Sequence, residues 1–263
     1  MTTKKPRHIL GLSGGKDSSA LAVYMRSRVP EMEYVFCDTG KELPETYEYL
    51  ANLEAFLGKS IVRLNAERGF DHWLQVYGGY LPSSRMRWCT RQLKLKPFEK
   101  YVGNDEVVSY VGIRADEDRE GYISTKPNIK ARFPFKEDGI THADVLRILK
   151  DVGLGLPEYY SWRSRSGCSF CFFQRKEEWV GLLDRHPDLF EEAKAYEKVN
   201  PQTGERYTWA PGESLEDIAK PERLLQIRKK AAEKRPQVPR DGTLASVLGD
   251  DDEDEQACLI CSL

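Results

Sequence analysis

Four short runs of this chain carry residue types able to do chemistry. Ser13-Gly14-Gly15-Lys16-Asp17-Ser18 lies between an apolar run and an amphipathic one. A strand, a glycine turn and a helix start together make an anion site: the glycines let the backbone turn tightly, N–H groups point outward, and the helix dipole favours negative charge. Lys16 adds a positive charge, and Ser13 and Ser18 add hydroxyl donors. The spacing is not G-x-x-x-x-G-K-[ST], so this is not a Walker A loop; the plainer reading is a Gly-Gly turn with an exposed lysine. Cys37-Asp38-Thr39-Gly40 closes a second apolar run, where a carboxylate and a hydroxyl can meet a ribose, a base or magnesium. Glu45 and Thr46 beyond it have the types that cap a helix.

Cys168 and Cys171 form a C-x-x-C pair flanked by Arg165 and Arg175. Two thiolates at that spacing reach one metal centre; iron–sulfur sites use such spacings, and structural zinc takes four thiolates. A redox dithiol or a pair of buried apolar cysteines are the other readings. Cys37, at a strand end, reads most simply as core. Arg85, Arg87, Arg91, Lys94 and Lys96 surround Cys89, with Trp73 and Trp88 nearby, and cations with aromatics bind polyanions or stack bases. Several cations are also what a triphosphate alone needs. Phe170, Phe172, Phe173 and Trp179 read as core more readily than as a stacking platform. Arg223, Arg228, Lys229, Lys230, Lys234 and Arg235 form a second basic segment, explained equally by a solvated amphipathic helix.

The elements that must position these residues alternate. Apolar runs predict strands over 8–12, 33–37, 60–64 and 106–113, and helical spacing falls over 19–28, 46–56, 70–76 and 93–101. Such alternation predicts an α/β fold with a parallel sheet covered by helices and ligands at the carboxyl ends of its strands. After residue 122 the pattern turns helical, over 141–152 with Thr141 as N-cap, 176–183, 187–198 and 221–234. The expected division is a nucleotide-binding domain over 1–135, a helical lobe with the C-x-x-C pair over 136–235, and a flexible acidic tail over 236–263 that ends in Cys258 and Cys261.

At 263 residues the chain can hold one large domain with an appended lobe, and a net charge of −2 gives no bulk signal for nucleic acid. No apolar run reaches membrane-spanning length, so a cytoplasmic protein without a membrane partner is expected. Six cysteines there argue for metal, cluster or redox chemistry rather than disulfides.

Ser13 to Ser18 resembles the PP-loop, S-G-G-x-D-S, of the N-type ATP pyrophosphatases, the adenine nucleotide alpha hydrolase-like superfamily. Asp38-Thr39-Gly40 followed by Pro44-Glu45-Thr46 resembles its phosphoadenosine phosphosulfate (PAPS) reductase-like branch. Cys89-Thr90 with Leu93-Lys94 looks like that branch's C-T-x-x-L-K segment, Gly112 to Arg119 like its G-I-R-x-x-E-x-x-R segment, and Gly167 to Cys171 like its G-C-x-x-C element.

The resemblance implies ATP cleavage between the α and β phosphates. Ser13, Gly14, Gly15, Lys16, Asp17, Ser18, Asp38, Thr39, Gly40 and Gly112 would bind nucleotide. Lys16, Asp17, Arg114 and Arg119 would be catalytic, with Asp17 and Asp38 organising Mg2+ and the arginines contacting phosphate or acceptor. It places Cys89 beside Cys168 and Cys171 as ligands of an iron–sulfur cluster of the [4Fe-4S] type, with zinc as alternative and Cys258 or Cys261 as fourth thiolate. The E-C-G-x-H ending of true PAPS reductases is absent. The resemblance therefore runs closest to the pyrophosphatase components of DNA phosphorothioation systems. The partners this implies are a cysteine desulfurase or other sulfur donor, the other components of a modification complex, and nucleic acid. Reduction of PAPS or adenosine phosphosulfate, tRNA thiolation, and a nucleotide-binding partner without turnover are the rival functions.

Overall fold

The computed structural model describes residues 5–118, 124, 126–199, 204 and 206–234. Five strands form one parallel sheet in the order β3-β2-β1-β4-β5: β1 (Arg7–Leu12), β2 (Glu33–Asp38), β3 (Ile61–Asn65), β4 (Val107–Tyr110) and β5 (Ile129–Arg132). The chain runs outward from β1 through β2 to β3, then returns to the other side of β1 as β4. The strand order therefore reverses between β1 and β4, where open α/β sheets bind ligands. β5 was not expected from the sequence, and β4 stops at Tyr110 rather than at 113.

Strand alternation sorts the core into two faces. Leu10, Leu12, Tyr34 and Phe36 meet Leu21 of α1 (Lys16–Met25), Leu50 and Leu53 of α2 (Pro44–Leu57), and Val145 and Leu149 from farther on. Ile9, Val35, Cys37 and Leu64 face the other way, onto Phe98 and Val102. Cys37 is thus core, as expected, and burial pushes its thiol up to about 11.

Between the sheet and the lobe lie α3 (Phe70–Val76), α4 (Trp88–Thr90), a π-turn over Arg91–Leu95, and α5 (Lys96–Val102). Simple 3.6 periodicity does not reveal that π-turn, a feature often found at functional sites. Next come α6 (Pro134–Glu137) and α7 (His142–Asp151). Thr141 caps α7, with its N–H bonded to Asp144 at 2.9 Å, and α7 packs back on α1. Three longer helices and one short one follow: α8 (Lys176–Arg185), α9 (Pro187–Tyr196), α10 (Leu215–Ile218) and α11 (Pro221–Lys234). A two-stranded antiparallel pair, β6 (Lys198–Val199) and β7 (Arg206–Tyr207), lies among them.

A third core of Phe70, Trp88, Tyr159, Phe170, Trp179 and Trp209 binds this region to α3 and α4. Phe170 and Trp179 are core residues, as the sequence suggested. α11 buries Ile227 and pairs Arg228 with Asp184 on α8 at 2.7 Å, so this basic helix is a docked surface helix. Among the described residues no helix is long and apolar enough to cross a membrane.

Candidate functional site

The PP-loop lies at the carboxyl end of β1, and three glycines make it possible. Gly14 has φ +73°, and a Cβ there would stand 2.5 Å from Thr46 Cγ2. A Cβ on Gly15 would reach Ser166 Oγ at 2.6 Å. Gly112, in the turn after β4, brings its backbone so close that a Cβ would lie 3.0 Å from the Asp17 carbonyl. The two loops at the reversal point are therefore in contact. The loop is braced by Ser18 Oγ, 3.2 Å from the Ser13 N–H and 3.1 Å from Ser13 Oγ. Glycine cradles at a helix start fit a phosphate chain.

Arg114 sits behind this cradle. It is 3% exposed and reaches Asp17 at 3.1 Å, Asp116 at 3.0 Å and Glu117 at 3.3 Å. Burial works against its charge, but Asp17 and Glu117 outweigh that and hold its pKa above the ordinary arginine value. Arg114 is therefore a buried brace between the β4 turn and the first turn of α1, with its guanidinium on carboxylates. Arg119 lies outside the described residues. Asp38 accepts from the Gly40 N–H and the Tyr47 hydroxyl, both at 2.8 Å. Magnesium usually takes one or two carboxylates plus substrate phosphates rather than a protein cage, and Asp17 in the first turn of α1 and Asp38 at the end of β2 suit that pattern. Glu45 and Thr46 do not cap α2. Glu45 bonds His186 at 2.8 Å, and Thr46 packs against Gly14, because Leu43 takes the N-cap position ahead of Pro44.

The cysteine loop is fastened directly to this site. Thr39 Oγ1 lies 3.2 Å from Cys168 Sγ, and Cys168 Sγ lies 3.6 Å from Glu42 Oε1. The Ser169 N–H donates to the Lys41 carbonyl at 2.7 Å. Burial, then the Glu42 charge, push the Cys168 thiol well above its ordinary value, with Lys94 acting in the opposite direction. Arg87, two residues before Cys89, stacks on Phe173 at 5.1 Å, and Arg165 stacks on the same ring at 5.4 Å. Phe173 is thus a half-buried ring in contact with two guanidiniums, not core.

Buried polar atoms without partners gather around this loop: Glu42 Oε2, Nε and Nη1 of Arg163, Ser169 Oγ and Gln174 Oε1. Such atoms call for a missing water, ion or ligand, so thiols and orphaned groups together fit a bound group here. Among the described residues no three His, Cys, Asp or Glu side chains stand close enough to hold one metal ion. Cys258 and Cys261 lie outside the described residues.

Sequence reasoning missed Glu42, Tyr159, Tyr160, Arg163 and Ser166. Tyr159 donates to the Gly14 carbonyl at 2.8 Å, the Lys16 N–H donates to the Tyr160 hydroxyl at 3.1 Å, and Ser166 Oγ donates to Ser13 Oγ at 3.1 Å. These pairings span about 140 positions or more, and no local sequence pattern signals them.

Residues 7–136 match the phosphoadenosine phosphosulfate reductase domain family. That segment, just under half of the chain, is similar to the family's domain. An uncharacterized protein of Methanocaldococcus jannaschii is 28% identical over 223 residues, covering 80% of this chain and 44% of that protein. The tRNA-specific 2-thiouridylase MnmA of Pseudomonas fluorescens is 32% identical over 114 residues, 38% of this chain and 30% of that enzyme. The chain thus spans less than half the length of either relative. The crystal structure of PAPS reductase from Candida auris shares the fold, with a TM-score of 0.50 and 15% identity, covering 63% of this chain and 82% of that one.

Proposed function

We propose that this protein is an ATP pyrophosphatase that activates an acceptor, the backbone phosphate of a nucleic acid, for sulfur transfer. The observation that carries the reading is the direct fastening of the PP-loop side of the molecule to the C-x-x-C loop, through Thr39 and Cys168 at 3.2 Å. Nucleotide and sulfur chemistry then share one site. The family of residues 7–136 supports the nucleotide half.

In this reading the Gly14–Gly15 turn and the first turn of α1 hold the phosphates, and Lys16 opposes charge developing on the leaving pyrophosphate. Positioned donors of this kind supply most of the catalysis in phosphate chemistry. Asp17 and Asp38 would hold magnesium carried by the nucleotide, and Arg114 fixes Asp17 in place. Cys89, Cys168 and Cys171 would hold a [4Fe-4S] cluster, with Cys258 or Cys261 as a fourth thiolate; such a group supplies a site for presenting sulfur. Arg87, Arg165 and Phe173 stand beside it as a cation–aromatic surface for the acceptor.

Similarity to a tRNA 2-thiouridylase favours tRNA as the second acceptor to test. The experiment supplies Mg-ATP, a cysteine desulfurase with 35S-cysteine, and either duplex DNA or tRNA. Label in DNA with AMP formation is expected. Label in tRNA alone moves the acceptor to RNA. Sulfite released from PAPS with reduced thioredoxin would replace the proposal with the reductase reading, and ATP binding without turnover would make the chain a nucleotide-binding partner.

A further inference from the structure

In the structure an acceptor already sits on the PP-loop. Lys16 is the first residue of the ten-residue helix α1, so its N–H is among those a helix start offers to an anion. That N–H donates to the Tyr160 hydroxyl at 3.1 Å, and Lys16 Nζ lies 5.3 Å from the centre of the Tyr160 ring. A Cβ added to Gly15 would meet Tyr160 Oη at 3.2 Å and Ser166 Oγ at 2.6 Å. The space in front of this turn is thus filled by the segment leading to the cysteines. A phosphate oxygen cannot take the Lys16 N–H while that hydroxyl remains.

We propose that Tyr160 holds the place of a phosphate oxygen, so that nucleotide binding displaces Tyr160 and with it moves the cysteine loop. The inference rests on the nucleotide reading above. An anionic phosphate oxygen is a stronger acceptor than a neutral phenol. Burial raises the Tyr160 pKa and keeps the phenol neutral.

The route from Tyr160 to the cysteines is short. Tyr160 lies in a 3₁₀ turn, Glu158–Ser161. The Arg163 N–H donates to the Tyr159 carbonyl at 2.9 Å, and Arg163 Nη2 donates to the Cys168 carbonyl at 2.8 Å. Arg163 is 2% exposed and has two unpartnered nitrogens, so new partners are within its means when the turn shifts. Gly167, at φ +142°, is the bend between Arg163 and Cys171; a Cβ there would lie 3.6 Å from one and 3.8 Å from the other.

The test measures Mg-ATP and inorganic pyrophosphate binding by calorimetry to the unaltered chain and to Tyr160→Phe. At one fixed pH, it also measures iodoacetamide labelling of Cys168 and Cys171 by mass spectrometry, with and without ATP, in protein free of bound metal with its thiols reduced. Removing the competing hydroxyl should tighten both ligands about fivefold, the factor one neutral hydrogen bond is worth. ATP should change the labelling rate of the unaltered chain severalfold, and the variant without ATP should label like the unaltered chain with it. Circular dichroism checks that both are folded. ATP bound equally or less tightly by the variant, or labelling indifferent to ATP, would overturn the inference alone. No ATP binding by the unaltered chain would overturn the nucleotide reading and this inference with it.

Discussion

Gly14→Ala should destabilise the protein by two separable effects. The first is conformational: Gly14 has φ +73°, and a left-handed backbone costs an L-residue about 1–2 kcal/mol. The second is steric: the new methyl would stand 2.5 Å from Thr46 Cγ2, with Leu50 Cγ at an ordinary 3.8 Å. Thr46 is fully buried in the first turn of α2, so it has no open side to move toward, and overpacking of this kind costs about 1–3 kcal/mol. Together the loss is about 2–5 kcal/mol. Thr46→Ser removes the clashing methyl and alone should cost about 1 kcal/mol of lost burial. The double variant should then lose only the backbone strain and that methyl, about 2–3 kcal/mol, giving a coupling of about 1–3 kcal/mol in the cycle. Urea denaturation of the four proteins measures it. Additive losses would refute the steric half of the argument. A Gly14→Ala variant as stable as its parent would refute both.

Lys16→Ala should lower ATP turnover on the order of a hundredfold or more with the fold intact, because the residue is half-exposed at a helix start; turnover assays with a circular-dichroism control check it. Cys168→Ser, Cys171→Ser and Cys89→Ser should each lower iron bound after anaerobic reconstitution, since thiolate is the softer ligand; full iron in the Cys89 variant would break the three-cysteine set. Glu33 accepts from Arg7 at 2.8 and 2.6 Å across β1 and β2. The Arg7 bond holds its carboxyl below the ordinary range against the opposing effect of burial, with Tyr101 assisting. A depressed folded pKa means a contribution complete above the unfolded carboxylate value and lost as pH falls through the folded one. Glu33→Gln should therefore cost no more than about 1 kcal/mol at pH 7, with the gap to the parent closing in acid; denaturation at several pH values tests it.

The parallel sheet and the anion loop were legible because both are local. Apolar runs, glycines and a helix start lie within about thirty residues of each other, and each strand–helix unit repeats the pattern. β5 was not legible, since Ile129–Arg132 alternates too briefly to stand out and is fixed by pairing with β4. The wall formed by Tyr159, Tyr160 and Ser166 was invisible for another reason. Its hydrogen bonds join positions about 140 or more apart, and tyrosines beside a cysteine pair carry no periodic signal. Arg114 shows a different limit. Its motif was plain, but a motif does not tell whether a guanidinium faces a ligand or, as here, three neighbouring carboxylates.

In the proposed reaction ATP is cleaved between its α and β phosphates at the PP-loop. Chromatography of the products from ATP labelled at the α phosphate, with Mg2+, sulfur donor and acceptor present, tests it most directly. Labelled AMP or an AMP adduct with pyrophosphate released is the predicted result; labelled ADP with orthophosphate would contradict it.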